Sequence, residues 1–289
     1  MCWVSMGLAV ELGVLLKPKV LLAMLGLYLT TYVASLLYQG GAGVDPSVFG
    51  LGFAAVALSV AGANALNCVY DVDIDSVMSR TLGRPLVRGV VSTQQASAFS
   101  WGLMGLSGLA ALRLGPIPSL LLVEGAGSYL LLYTVLAKRR TRFNVFFTAP
   151  SVAAPAWLGW FLGGAPFLPV GLLLGLLVAL WGPLHLWSLA YVFSEDYSRA
   201  GVPMYVGGGR GLGGVLVVML GLVGGSLALA RWCGGLYLWL VAPLNLLLLW
   251  SGVRLWREGS KRWGWVVFKL TSPYILLVFL FFALSLLRA

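Results

Sequence analysis

Asn67, Asp71 and Asp75 stand four residues apart at the end of a long apolar run, in a chain of 289 residues that holds only nine acids. Helical residues advance by roughly 100° each, so these three drift by about 40° per step and share one face, while Asp73 points away. Carboxylates within about 6 Å of each other repel and raise one another's pKa unless a cation neutralises them. A hard divalent ion held by few carboxylates and completed by phosphate oxygens and water describes magnesium. A single aspartate there would merely end a helix at the water interface. Each charge near a bilayer centre costs roughly 2.5–3.5 kcal/mol, so three acids after an unbroken apolar helix imply a helix end or a polar cavity. The Asn in phase, with Arg80, Arg84 and Arg88 just downstream, favours the cavity.

A magnesium diphosphate needs acids for the metal and bases for the remaining phosphate charge. Two further segments supply both: Lys138-Arg139-Arg140-Thr141-Arg142, and Ser194-Glu195-Asp196-Tyr197-Ser198-Arg199. The expected metal ligands are Asn67, Asp71, Asp75 and Asp196, with Glu195 as a further candidate. Arg80, Arg84, Lys138, Arg139 and Arg199 are the expected diphosphate contacts, and Asp71, Asp75, Asp196 and Lys138 the expected catalytic residues.

Other patterns carry less. Asp71-x-Asp73-x-Asp75 looks like the start of a calcium loop, but such a loop needs Gly at its sixth position and Glu at its twelfth, where Ser76 and Leu82 stand. Gly209-Arg-Gly211-Leu-Gly213-Gly214 fits GxGxxG but opens an apolar helix with no strand before it, so a dinucleotide site is not expected. Cys2, Cys68 and Cys233 lie far apart and suggest neither disulfide nor zinc. His185 is the only histidine, which excludes bis-histidine heme ligation within the chain. It either packs by a hydrogen bond or faces an acceptor substrate. Lys269 is a candidate for the cavity or a snorkelling residue. It sits at a different depth from Glu124, so the two are not expected to pair.

The elements that must hold these residues are membrane helices. Hydrophobic residues make up 60% of the chain, charged residues 10%, and the mean hydropathy is +0.94, values that demand lipid as solvent. Apolar runs near the roughly 20 residues of a spanning helix cover 19–38, 47–70, 93–112, 116–137, 144–163, 168–193, 212–231, 234–253 and 264–287. The runs lack the alternation of β-barrel strands. The reading is therefore all-α: one membrane domain over 1–289, nine transmembrane helices in a bundle around an embedded cavity, with 1–16 at the interface and no removed signal peptide.

With the N-terminus inside, sixteen of the nineteen Lys and Arg fall on the cytoplasmic side and only Arg113, Arg231 and Arg288 outside. That asymmetry fixes orientation: a multi-pass plasma-membrane protein with its N-terminus and acid-bearing loops in the cytoplasm and its C-terminus outside. The net charge of +10 is thus topology and not a nucleic-acid surface.

Taken together these residues resemble the UbiA-type intramembrane prenyltransferases, and within them the branch of protoheme IX farnesyltransferases, or heme O synthases. Leu16-Lys17-Pro18-Lys19-Val20 is similar to the start of that family's first helix. Asn67 to Leu86 matches its NxxxDxDIDxxMxRTxxRPL signature. Tyr133-Thr134, Lys138 to Thr141 and Asn144 match the segment after the fourth helix, and His185-x-Trp187, Asp196-Tyr197 and Arg199 to Met204 match the second motif. The chain departs at Phe146 to Ala156, where the family has a glycine-rich stretch ending in Pro-Pro, and at Tyr205 to Arg210.

The resemblance implies Mg2+ as cofactor, farnesyl or a longer prenyl diphosphate as donor and heme b as acceptor, with contact to heme A synthase or oxidase assembly. It also implies an acceptor pocket using His185, Trp187, Tyr197 and Lys269. Rival readings are prenyl transfer to a quinone-precursor aromatic acid or a glycerol lipid, a heme carrier, and a transporter. A transporter should place acids at mid-membrane in paired broken helices, whereas these acids cluster at one face.

Overall fold

The computed structural model describes residues 2–41, 43–206 and 211–287. Gly209 and Arg210 of the glycine-rich motif, and Arg288, lie outside the described residues. Among the described residues the α-helices are α1 (Cys2–Leu15), α2 (Pro18–Tyr38), α3 (Pro46–Tyr70), a single turn α4 (Val72–Asp75), α5 (Thr93–Leu114), α6 (Pro116–Gly127), α7 (Ala149–Leu162), α8 (Leu172–Val192), α9 (Ser194–Arg199), α10 (Leu212–Ala228), α11 (Ala230–Glu258) and α12 (Lys261–Leu286). Among the described residues no strand is present.

Seven of the nine expected spans are long and apolar enough to cross a membrane. The expectation of nine is not met by α5, whose serines, glycines and Arg113 lower its apolarity, or by α10, which has 17 residues. Both are helices, and their placement follows the sequence reading.

Local chemistry sets the helix ends. Asp45 accepts from the amides of Ser47 (2.9 Å) and Val48 (3.2 Å) ahead of Pro46 at the first position of α3. Ser92 and Gln95 close a capping box on α5. Gly115, at φ 107°, separates α5 from α6.

The centre is a close contact of α2 with α7. A methyl at Gly159 would run into the Tyr28 carbonyl and the Thr31 hydroxyl, and one at Gly163 into Ser35. This small-xxx-small stripe lets the backbones approach where lipid offers no hydrophobic drive to pack. Ser35 reinforces it, donating to the Trp160 carbonyl at 2.7 Å and accepting from the Ala165 amide at 3.0 Å. α2 also packs on α12, and α8 packs on both α7 and α12, so these four close a ring. α3, α5 and α6 pack outside α2 and α7, while α10 and α11 flank α8 and α12.

The regular helical backbone gives way at two places that bear on the acids. α6 runs on through Ser128–Ala137 in wide turns with π-type bonding, such as the Lys138 amide to the Tyr133 carbonyl at 2.8 Å. π-helical stretches are rare and concentrate at functional sites. Lys17, between α1 and α2, holds a left-handed conformation (φ 51°, ψ 68°) directly before Pro18. A non-glycine residue there stores on the order of 1–3 kcal/mol and persists only where its surroundings hold it.

Candidate active site

α3 ends at Tyr70, yet helical bonding continues across the break: the Asp71 amide donates to Asn67 O (3.0 Å) and the Asp75 amide to Asp71 O (2.8 Å). Asn67, Asp71 and Asp75 therefore keep one face, and all three are buried. Asp73 points the other way and is 60% exposed. Helical phase divides the acids as the spacing predicts.

Each buried acid meets a base. Lys138 Nζ donates to Asp71 Oδ2 at 2.5 Å, and Arg84 pairs with Asp75. The wide turns of Ser128–Ala137 bring Thr134 and Tyr129 to the same place: Asn67 Nδ2 donates to Thr134 Oγ1 (3.0 Å) and to Asp71 Oδ2 (2.8 Å). Asn67 Oδ1 accepts from Lys17 Nζ at 2.6 Å, and Lys17 also reaches the Tyr129 hydroxyl at 3.2 Å. Asn67 is thus tied up as a bridge between Lys17, Thr134 and Asp71. Burial pulls the Lys138 ammonium below its ordinary pKa, against the opposing pull of Asp71.

The second acidic motif joins the first. Asp196, at the start of α9, accepts from the Ser79 hydroxyl at 2.6 Å and pairs with Arg199. The Ser79 hydrogen bond, then Arg199, holds the Asp196 carboxyl below the usual range. Arg80 Nη2 donates to the Tyr197 hydroxyl at 3.2 Å and lies over the Tyr197 and Phe193 rings. Asn144 fastens the two basic and acidic loops, donating to Pro203 O (2.7 Å) and Lys138 O (3.2 Å). Glu195 instead takes an exposed pair with Lys261 at 2.6 Å.

Among the described residues no three His, Cys, Asp or Glu side chains converge into a ready-made cage. Magnesium does not need one, since it is held by one or two carboxylates with phosphate oxygens and water. Asp71 Oδ1 is buried with no hydrogen-bond partner, a lone carboxylate oxygen that fits a cation.

Three of the expected contacts lie elsewhere. Arg139 is committed to Asp73, with bonds of 2.6 and 2.7 Å on the exposed side, so its geometry does not join the buried acids. Lys269 is exposed with its ammonium 5.5 Å from the centre of the Trp265 ring, the snorkelling arrangement and not a cavity contact. Trp187 is buried between Phe146 (5.3 Å) and Tyr205 (5.0 Å), apart from His185. The four residues expected to make one acceptor pocket are thus not brought together as a set.

His185 connects to the site by another route. A run of aromatic contacts leads from Arg80 through Phe193, Trp265 and Phe268 to His185 and Trp181. The residues missed by sequence reasoning are Lys17, Ser79, Thr134 and Tyr129. Two of them had a signal: Lys17 as the base directly before Pro18 in the Leu16–Val20 segment that opens the first long helix, and Thr134 in the Tyr133-Thr134 pair ahead of Lys138.

The UbiA prenyltransferase family pattern matches residues 27–282. The chain is 34% identical over 285 residues to a protoheme IX farnesyltransferase of Symbiobacterium thermophilum, covering 95% of this chain and 93% of that one. It is 32% identical to one of Aeropyrum pernix, covering 94% and 90%. Its fold is that of a solved digeranylgeranylglyceryl phosphate synthase (TM-score 0.74, 20% identity, 94% and 99% covered). It is also that of a UbiA homologue from Archaeoglobus fulgidus bound to GPP and Mg2+ (TM-score 0.69, 16% identity, 96% and 100% covered).

Proposed function

The chain belongs to the UbiA prenyltransferase family, and on that premise we propose that it transfers a farnesyl group from farnesyl diphosphate to a vinyl group of heme b, releasing diphosphate, after which one water adds to the cation left on the former vinyl carbon and loses a proton to give the hydroxyethylfarnesyl group of heme O. It is a multi-pass membrane enzyme. Its curated relatives carry the name protoheme IX farnesyltransferase over nearly the whole length of the chain, which supports heme as acceptor. The observation that carries the donor site is the buried, partnerless Asp71 Oδ1 beside Lys138, Lys17 and Arg84.

Asp71, Asp75 and Asp196 are the residues to hold Mg2+, which when bound neutralises charge on the departing diphosphate. Lys138, Arg84 and Arg199 lie on those acids in the structure and are free to turn to phosphate oxygens as the acids take up the cation. Lys17 keeps Asn67 aimed at Asp71. Ser79 and Arg80 hold the second motif against the first. The apolar helices around the site exclude water, so an allylic cation formed from the donor meets the acceptor vinyl group before bulk solvent. Aromatic faces along the His185 ladder suit such a cation. The bases of these loops support a cytoplasmic active site with the C-terminus outside, in the cell membrane.

The test is incubation of the purified protein with heme b and farnesyl diphosphate, followed by mass spectrometry of the extracted heme. Heme O should form with Mg2+ and fail to form when the divalent cation is chelated. An unchanged heme, or product formed equally without the cation, overturns the reading.

A further inference from the structure

His185 is held so that only one edge of its ring is free. Nδ1 lies 2.8 Å from Thr271 Oγ1. The Thr271 hydroxyl donates its own proton to Phe268 O at 2.8 Å, so toward His185 it can only accept. The proton of the neutral ring therefore sits on Nδ1, and Nε2 carries a lone pair. Trp181 (5.0 Å) and Phe268 (4.3 Å) flank the ring, and Trp181 is fixed in turn by its indole donating to Thr271 O at 2.9 Å. Nε2 makes no hydrogen bond among the described residues, and the residue is partly exposed.

A stacked ring with a pinned Nδ1–H and an open Nε2 is the arrangement by which proteins prepare a histidine to bind a metal, the Nδ1 partner fixing both tautomer and orientation. The aromatic run from Arg80 to His185 links that open nitrogen to the acidic site. His185 stands eleven residues before Asp196, or roughly 16 Å along a helix.

We propose that Nε2 of His185 ligates the iron of the acceptor heme. The ligation rests on heme being the acceptor. Because the chain has one histidine, the bound heme takes one imidazole and no second, which corresponds to a high-spin iron and leaves its other axial face without a protein histidine. Thr271 is the positioning residue for that ligand.

The test is titration of ferric heme b into the full-length protein in lipid nanodiscs, read by optical absorption and electron paramagnetic resonance. The wild type should give the signature of a single imidazole on a high-spin iron. His185→Gly should lose it while keeping Mg2+-dependent binding of prenyl diphosphate, and added free imidazole should restore it. Thr271→Val should weaken heme binding by about 10–100-fold, the usual loss when the partner behind a metal-bound histidine is removed. If heme binds with the same spectrum in wild type and His185→Gly, and heme O still forms, the ligation is wrong and the acceptor stands. If the wild type neither binds heme nor makes heme O, the acceptor itself is wrong, and the ligation falls with it.

Discussion

The Ser79 hydroxyl donates to Asp196 Oδ2 at 2.6 Å, joining two acidic motifs that lie 117 residues apart in the chain. A hydrogen bond to a charged group contributes roughly 1.5–3 kcal/mol. Ser79→Ala should therefore weaken Mg2+-dependent binding of prenyl diphosphate by roughly ten- to a hundredfold. Isothermal titration calorimetry reads this directly, and wild-type affinity in the variant would show that the second motif needs no tie to the first.

Lys17 combines a strained backbone with a functional amine, and two substitutions separate them. Lys17→Met keeps the strain and removes the hydrogen bond to Asn67. Lys17→Gly removes both. Each should lose about tenfold or more in kcat/KM, while Lys17→Gly should be the more stable of the two by about 1 kcal/mol. Equal thermal stability of the pair would mean that the left-handed conformation costs nothing.

Among the described residues Lys138 is the only base paired with Asp71, and both are buried. Removing one partner of a buried ion pair strands the other, at about 3–5 kcal/mol. Lys138→Met should accordingly lower the melting temperature, and added Mg2+ should raise it more in the variant than in the wild type, because the cation replaces the missing charge. The same response to Mg2+ in both proteins would place the cation away from Asp71.

Asp73 and Arg139 should matter to the fold margin and not to transfer. Arg139 holds the Asp73 carboxyl at about 2 against an ordinary 3.8. A depressed acid contributes stability that is fully present above 3.8 and lost as the pH falls through about 2. Since Asp73 is 60% exposed, solvent screens the pair and the contribution is small. Acid titration of wild type and Asp73→Asn should show curves that differ at neutral pH and converge over that window, with transfer rates at neutral pH unchanged. A large loss of transfer would bring Asp73 into the site.

The membrane helices and the face shared by Asn67, Asp71 and Asp75 were legible in the sequence because they depend on local periodicity and on the cost of charge in lipid. Asp73 was rightly set apart for the same reason. The partners of Arg139 and Lys269 were not legible: an arginine beside an acid loop has several carboxylates in reach by sequence, and only the packed loop shows that it meets Asp73. Ser79 gave no signal, since a serine in a turn becomes a hydrogen-bond partner of Asp196 only through contacts made far along the chain. That His185 and Trp187 have different neighbours has another physical reason. His185 and Trp187 are two residues apart on one helix, so their side chains face different neighbours.

The wide turns of Ser128–Ala137 make Lys138 sensitive to something other than side-chain identity. Restoring ordinary helical bonding by deleting a single residue there would rotate everything beyond it by roughly 100°, and the ammonium would no longer face Asp71. That stretch of the chain thus works as a ruler: it tolerates exchange of its apolar side chains, whereas its residue count is under constraint from a site that most of those residues never touch.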